Sequence, residues 1–335
     1  MENVCCNNID FAQCSSVTSM KSVYPSDDAT GEPLNDMPAF KKSFKYFKRK
    51  VPEPPDMSCV LDLDKDTFDP NVARRISIEE LPAFVKLCDK DCFQLGLQPV
   101  HNWRFYELVR HQGLFIVKGV LSRAGEYLWA HRCLTTYPRQ PNITNIDQFI
   151  QKACESADVS VDEYTILSNA RNLATIRWTT LGYHHNWDTK KYSESFKSTF
   201  PADIATLCSV VASVMGYSNF QAEAGIIHYY HHNSTLSGHV DNSEQNLDAP
   251  LVAVSIGQSA VFLMGGPSLD IVPTPVWLRS GDVMIMTGES RLGYHGVPRI
   301  VRDKKFVHRN DEDARVMEFL NDNRINMNIR QVNFS

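Results

Sequence analysis

The stretch "RINMNIR" (Arg324 to Arg330) alternates strictly. Arg324, Asn326, Asn328 and Arg330 fall on one side of an extended chain, and Ile325, Met327 and Ile329 fall on the other. The segment therefore reads as a strand with one apolar face and one face of guanidiniums and amides. If it lies inside the protein, the polar face must meet an acidic ligand, because a buried charge is costly unless paired. Arginine suits that purpose, since it binds a carboxylate through parallel charge-assisted hydrogen bonds. If the segment lies at an edge, the same face is merely solvated. The residues before it suggest the body it joins. "AGIIHYY" (224–230), "LVAVSIG" (251–257), "AVFLMGG" (260–266), "PVWLRSG" (275–281) and "DVMIMTG" (282–288) are short apolar runs, most of them closed by glycine. Such regular short strands predict a sandwich or barrel.

Further upstream the texture is mixed. "PADIATLCSVVASVMGY" (201–217) predicts a helix, with Pro201 at its first turn, apolar residues at helical spacing and Gly216 near its end. "SRAGEYLWAHRCLTTYP" (122–138) is helical in pattern, and "GLFIVKGVLS" (113–122) reads as a buried strand. Residues 1 to about 38 are polar and predict a largely disordered tail. The tail leads into "AFKKSFKYFKRKVPEPPDMS". There Phe40, Phe44 and Phe47 recur at helical spacing, and Lys41, Lys42, Lys45, Lys48, Arg49 and Lys50 concentrate positive charge. This segment is either a docking helix with a solvated face or a nucleic-acid or targeting element. The expected organisation is a tail over 1–58, an N-terminal extension with a lid over 59–200, and the strand-rich domain over 201–335.

Composition bounds the function. Hydrophobic residues make up 43 % of the 335-residue chain and charged residues 22 %, enough apolar content for a substantial core. No apolar run approaches the length (about 18 residues) that spans a bilayer, so no membrane partner is expected. "MENVCCNNIDFAQCSS" lacks the basic and apolar regions of a secretory signal. Nine scattered cysteines then read as free thiols, and Cys88 with Cys92 lacks the second pair a zinc site needs. Nucleus, mitochondrion and cytoplasm all remain open as compartments, and a monomer is expected. A net charge of −5 means that nucleic acid, if it is the partner, must be met by local basic patches.

The chemistry centres on "TLSGHVDNSE" (235–244). In a strand or strand end, His239 and Asp241 point to the same side and could share one ion. Alone the pair is equally a polar turn. A third ligand is available about fifty residues on, His295 in "GESRLGYHGVP". Two histidines and one carboxylate on one face form the facial triad of non-haem Fe(II) oxygenases, which leaves positions open for a chelating cosubstrate and O₂. A chelating oxo-acid needs a cation for its far carboxylate, and the face of Arg324 and Arg330 offers one.

These residues resemble the AlkB family of Fe(II)- and 2-oxoglutarate-dependent nucleic-acid dioxygenases. "GYSNFQAEAGIIHYYHHNSTLSGHVDNSE", "GESRLGYHGV" and "RINMNIR" carry the likeness, the last fitting the family's R-x-N-x-x-x-R pattern. With "RWTTLGYHHNWDTKKYS" and "SIGQSAVFLMGG" they are most similar to the branch called AlkB homologue one, over residues 95 to 333. The resemblance implies an α+β fold with a double-stranded β-helix (jelly roll) core, flanking helices and a nucleotide-recognition lid upstream. It implies that His239, Asp241 and His295 hold Fe(II), and that Arg324 binds the distal carboxylate of 2-oxoglutarate. It places Arg330 and Asn326 near the metal end of that cosubstrate, with His228, Tyr229 and Tyr230 in its binding strand. It implies lid residues at Trp178, Tyr183 and His185, whose rings could stack on a substrate base, though a packed aromatic cluster is the plain alternative. Arg177, Lys190, Lys191 and the run from Lys41 to Lys50 become candidate phosphate contacts. The implied reaction is oxidative removal of N-methyl groups, methyladenine above all, from tRNA or DNA, with the base flipped out or presented unpaired.

Two departures bear on substrate and cosubstrate. Many family members carry an acid just after the His-x-Asp pair that reaches the flipped base, where this chain has Ser243. A simple alkylation lesion is therefore a poor expectation. The family's usual Asn is replaced by His228, which can still donate a hydrogen bond but whose protonation could make 2-oxoglutarate binding vary between about pH 6 and 8. Competing readings are a protein or histone demethylase or hydroxylase on a similar barrel, and a non-catalytic nucleic-acid-binding scaffold.

Overall fold

The structure, a computed structural model, describes residues 37–65, 67–81, 89–147, 166–168, 170–309 and 311–334. Residues 1–36 of the expected tail, and Cys88, lie outside the described residues. The α-helices among the described residues are α1 (Ala39–Lys48), α2 (Asp89–Leu95), α3 (Arg123–Thr135), α4 (Ala170–Thr175), α5 (Ala202–Val214) and α6 (Ala314–Asp322). The first five strands are β1 (Ala73–Ile76), β2 (Arg104–Leu108), β3 (Leu114–Lys118), β4 (Ile143–Thr144) and β5 (Trp178–Gly182). After α5 come β6 (Ala224–Tyr230), β7 (Leu236–His239), β8 (Leu251–Gly257), β9 (Ser259–Met264), β10 (Thr274–Leu278), β11 (Val283–Met286), β12 (His295–Val301) and β13 (Arg324–Arg330). No helix among the described residues is long and apolar enough to cross a membrane. The four described cysteines, Cys59, Cys92, Cys133 and Cys208, are free thiols.

The strands form two antiparallel sheets, a major one ordered β1-β2-β3-β11-β8-β13-β6-β5-β4 and a minor one ordered β10-β9-β12-β7. They face each other as a jelly roll. Leu114, Ile116, Leu251, Phe262, Met264 and Met286 fill the space between them. The opposite face of the major sheet is covered by helices, so Ile325, Met327 and Ile329 of β13 pack with Trp129 of α3, Leu207 of α5 and Leu320 of α6. Because β13 lies between β6 and β8 and both its faces are buried, the solvated-edge reading of "RINMNIR" does not hold. Its arginines face into the roll.

Strands from residues 73–182 join the same sheet as β6, β8, β11 and β13 from after residue 201. Residue 200 therefore marks a change of sequence texture and not a break in the sheet. The basic aromatic segment placed with the tail also belongs to the fold. Phe40 and Phe47 of α1 are 1 % and 2 % exposed and pack with Val261 and Leu263 on the outer face of the minor sheet. Period-3.6 aromatics give that helix an apolar face that must be covered, and the Lys residues are left on its rim.

Candidate metal and 2-oxoglutarate centre

β7 and β12 bring the candidate ligands together. His239 and His295 are directly opposite in the ladder, with ring centroids 4.4 Å apart. The close approach depends on Gly296, where a Cβ would stand 2.9 Å from the Leu236 carbonyl oxygen, and the β12–β7 pairing shifts register at this glycine. Asp241 follows two residues after His239. Its Oδ1 is 3.8 Å from His239 Nε2 and its Oδ2 is 3.7 Å from His295 Nε2, and ligand atoms of all three residues lie within 4.8 Å of one another. Each histidine is turned by the same device. His239 Nδ1 bonds the Ser237 carbonyl at 2.9 Å and His295 Nδ1 bonds the Gly293 carbonyl at 3.0 Å. Both Nδ1 atoms therefore carry the proton, and both Nε2 lone pairs point at the space a cation would take. The donor set, two imidazoles and a carboxylate on one side, suits Fe(II) with open positions.

A charge network backs this group. Arg330 reaches Asp241 at 3.2 Å and Glu244 at 2.9 Å, and Arg291 reaches the other Glu244 oxygen at 3.0 Å. Arg291, Arg330 and Glu244 are buried. Burial opposes the Asp241 carboxylate, but Arg330 and the two histidines outweigh it and hold the group well below the usual carboxylate range. The carboxylate is ionised at any physiological pH, as a metal ligand must be. The acid two residues past Asp241 is indeed absent, for Ser243 is half-buried without an acidic group. Its neighbour Glu244 is the residue that sequence reasoning passed over, along with Arg291. The signal available was the pair of arginines, which demand a buried acid.

Arg324, at the other end of β13, is different. It is 2 % exposed, donates to Ser255 Oγ at 2.6 Å and to the Leu278 and Gln258 carbonyls at 3.2 and 3.3 Å, and leaves Nε without a partner. Among the described residues no carboxylate pairs with it. Burial pulls its pKa down to about 10, still charged at neutral pH. A buried cation with an idle donor fits the distal carboxylate of 2-oxoglutarate. Tyr230, directly opposite Arg324 in the ladder, is buried on the same inner side. Asn326 lies opposite His228 and forms no side-chain hydrogen bond among the described residues.

Two expectations for β6 need correcting. Tyr229 does not share the inner face of Tyr230 and Arg324: its hydroxyl donates to the Cys133 carbonyl of α3 and its ring meets Phe319 of α6. Alternation explains this, because His228 and Tyr230 share one face and the residue between them takes the other. His228 does not titrate between pH 6 and 8. Burial, and after it the neighbouring His239 and Arg330, pull it down to about 4, so it is neutral across that range.

The lid residues separate. A cavity of about 1200 Å³ is lined by His228, Tyr230 and Leu236 and by Trp178 and Trp187, whose ring centroids are 5.3 Å apart; none of the three metal candidates is in its lining. His185 stacks edge-on against Trp187 at 4.7 Å and leaves a buried Nδ1 without a partner. Its charged neighbours are Arg330, Glu244, Asp241 and Lys190, so it faces the charge network behind the metal candidates. Tyr183 is committed elsewhere. It is buried, its hydroxyl donates to Glu194 and accepts from Asn333 Nδ2 at 2.9 Å, and it supports the loop from behind. Tyr192, not foreseen, completes the cluster between His185 and Arg330.

Comparison with known proteins agrees with this geometry. A family model described as the 2OG-Fe(II) oxygenase superfamily matches residues 113–330. The chain is 37 % identical to "Nucleic acid dioxygenase ALKBH1" of Mus musculus over 81 % of its own length and 71 % of the relative's. It is 29 % identical to "tRNA demethylase abh1" of Schizosaccharomyces pombe over 88 % of its length and 95 % of the relative's. It is 27 % identical to "DNA N(6)-methyladenine demethylase ALKBH1A" of Arabidopsis thaliana, over 93 % and 99 % of the two chains. With the His-Asp-His group and the inward arginine strand in place, the chain belongs to the 2OG-Fe(II) oxygenase superfamily and, within it, to the AlkB family of nucleic-acid dioxygenases.

Proposed function

We propose that the protein demethylates N-methylated adenine in tRNA or DNA, consuming 2-oxoglutarate and O₂ and releasing succinate, CO₂ and formaldehyde. The observation that carries the cosubstrate is Arg324, a buried guanidinium with an idle Nε and no acidic partner among the described residues. In this reading His239, Asp241 and His295 hold Fe(II) through Nε2, carboxylate and Nε2. Arg324 anchors the far carboxylate of 2-oxoglutarate, and Tyr230, Asn326 and Arg330 line its path. Bound Fe(II) couples oxidative decarboxylation of 2-oxoglutarate to hydroxylation of a methyl group. The chain's own residues orient and exclude. Arg330 and Arg291 hold Asp241 in place, and Trp178, Trp187 and His185 offer stacking surfaces and a free ring nitrogen for a base entering the cavity. The hydroxylated methyl group leaves as formaldehyde, and the base nitrogen recovers its ordinary state.

The printed names of the relatives divide between tRNA and DNA, so the methylated polymer is the finer question. The test is mass spectrometry of oligonucleotides bearing 1-methyladenine or N6-methyladenine, incubated with Fe(II), ascorbate and 2-oxoglutarate. Loss of one methyl group per succinate formed is expected, and it should disappear in Asp241→Ala. Succinate formation without methyl loss on any RNA or DNA, but with a methylated protein as acceptor, would replace this reading with the protein-demethylase one. A non-catalytic scaffold has no use for three converged ligands.

A further inference from the structure

The two strands that carry the metal candidates run away from them into a second, smaller cleft. It has a volume of about 300 Å³ and lies between the C-terminal end of α1, the loop from His232 to Thr235, and Pro298 to Ile300 of β12. Among its nine lining residues Lys48, Lys50 and Arg299 are cationic, and none is acidic. Lys48 and Lys50 are exposed, so their charge is available to a partner. Their position is fixed by the fold. Arg299 donates to the Phe47 and Arg49 carbonyls at the end of α1, and Lys50 Nζ donates to Asn233 Oδ1. The loop residues His232 to Thr235 also wall the large cavity, so the cleft and the cavity lie on two sides of one loop. Arg302 stands on the cavity side near His232, although it is paired with Asp322. Thr235 is four residues from His239 on β7, and Pro298 is three from His295 on β12. At about 3.3 Å per residue, the cleft is on the order of 10–13 Å from the metal candidates.

We propose that this cleft binds a backbone phosphate of the nucleic-acid substrate, on a nucleotide flanking the one whose base enters the large cavity. The proposal rests on the function proposed above and names the surface that holds the polymer. An acid-free pocket with three cations attracts a phosphate, and its place on the far side of the loop suits a strand crossing that loop. Exposed lysines bind phosphate as point charges without reading sequence, so the cleft serves affinity and register rather than base choice.

The test is fluorescence anisotropy of a methyladenine-bearing single strand on the full chain loaded with Mn(II), over a series of salt concentrations. The variant Lys48→Glu/Lys50→Glu should bind at least tenfold more weakly at low salt. The slope of log K against log salt should become shallower by about 0.7, the contribution of one single-strand phosphate. Lys48→Gln/Lys50→Gln should show the same loss of slope with a smaller loss of affinity. Melting temperature, and its rise on adding Mn(II) with a non-reacting 2-oxoglutarate analogue, should match the wild type and so separate phosphate contact from disturbed packing of α1. An unchanged slope in both variants overturns the proposal, as does a loss of affinity that tracks a fallen melting temperature. A wild-type protein that forms succinate but binds no RNA or DNA fails the function reading instead.

Discussion

The buried arginines of β13 sit in opposite electrostatic situations, and opposite mutational outcomes follow. Among the described residues Arg324 has no paired acid to leave behind. Arg324→Met should therefore change stability by about 1 kcal/mol or less, while 2-oxoglutarate affinity falls about 10- to 100-fold, the value of charged hydrogen bonds worth roughly 1.5–3 kcal/mol. Calorimetric titration with Mn(II) present measures the affinity, and urea unfolding measures the stability; a variant that unfolds easily yet binds normally contradicts the assignment. Glu244 is the reverse case. It lies between Arg291 at 3.0 Å and Arg330 at 2.9 Å, all out of solvent. Glu244→Gln keeps the shape and strands a charge, so it should cost about 3 kcal/mol in the same urea experiment. A loss under about 0.5 kcal/mol would mean the network is solvated. These cases also show what the sequence could tell. Alternation alone put Arg324 and Arg330 on one face, and a two-residue spacing paired His239 with Asp241, whereas His295 joined them as a candidate that the family resemblance supported. Glu244 was hidden because its partners come from residues 291 and 330, which only the folded roll brings to it. Tyr229 was misplaced for the converse reason: in a run of polar aromatic residues, chemical type outweighed the strand's two-sided period.

At the scale of elements, α1 and the β2–β3 turn tie the minor sheet into place. The Phe40 ring lies over Gly238 and Gly265, where added Cβ atoms would stand 2.6 and 2.9 Å from it. Gly238 immediately precedes the metal candidate His239, so the helix presses on the strand that carries a ligand. Phe40→Ala should cost about 3–5 kcal/mol as a core truncation, read by urea unfolding, and a cost under about 1 kcal/mol would show that α1 is not docked. The aromatic period predicted the helix, but whether it docked was undecidable from sequence, because its acceptor surface (Val261, Leu263, Trp277) is assembled from two later strands. His111, in the β2–β3 turn, contacts Thr274 Oγ1 of β10 at 2.7 Å. Burial pulls it down to about 4, with Arg110 adding to the effect. The unfolded chain, with an ordinary histidine near 6.5, therefore binds the proton more readily. Its contribution is fully present above about pH 6.5 and is lost as pH falls toward 4, up to roughly 3 kcal/mol. Melting curves between pH 7.5 and 4.5 should fall less steeply for His111→Gln than for wild type; parallel curves would show that the ring is solvated.

At the scale of the molecule, the two sheets divide the site between them. His239 and His295 belong to the minor sheet, and Arg324, Asn326 and Arg330 belong to the major one. In the proposed arrangement a cation alone engages the minor sheet and the Asp241 turn. A 2-oxoglutarate molecule that chelates the cation and reaches Arg324 joins one sheet to the other across the core of the roll. Ligand stabilisation should then be conditional. Mn(II) at about a hundred times its dissociation constant should add about 2.7 kcal/mol by mass action, and removing it with a chelator should return the melting temperature to its starting value. A non-reacting analogue of 2-oxoglutarate should add a comparable amount when Mn(II) is present and much less when it is absent, since half of its attachment is the metal. Arg324→Met should retain the Mn(II) increment and lose most of the analogue's, whereas Asp241→Ala should lose both. Thermal melts across these combinations give the coupling directly. Equal stabilisation of the metal-free and metal-loaded protein by the analogue, or an analogue increment untouched by Arg324→Met, would show that the diacid binds without spanning the sheets, and the idle guanidinium would need another partner.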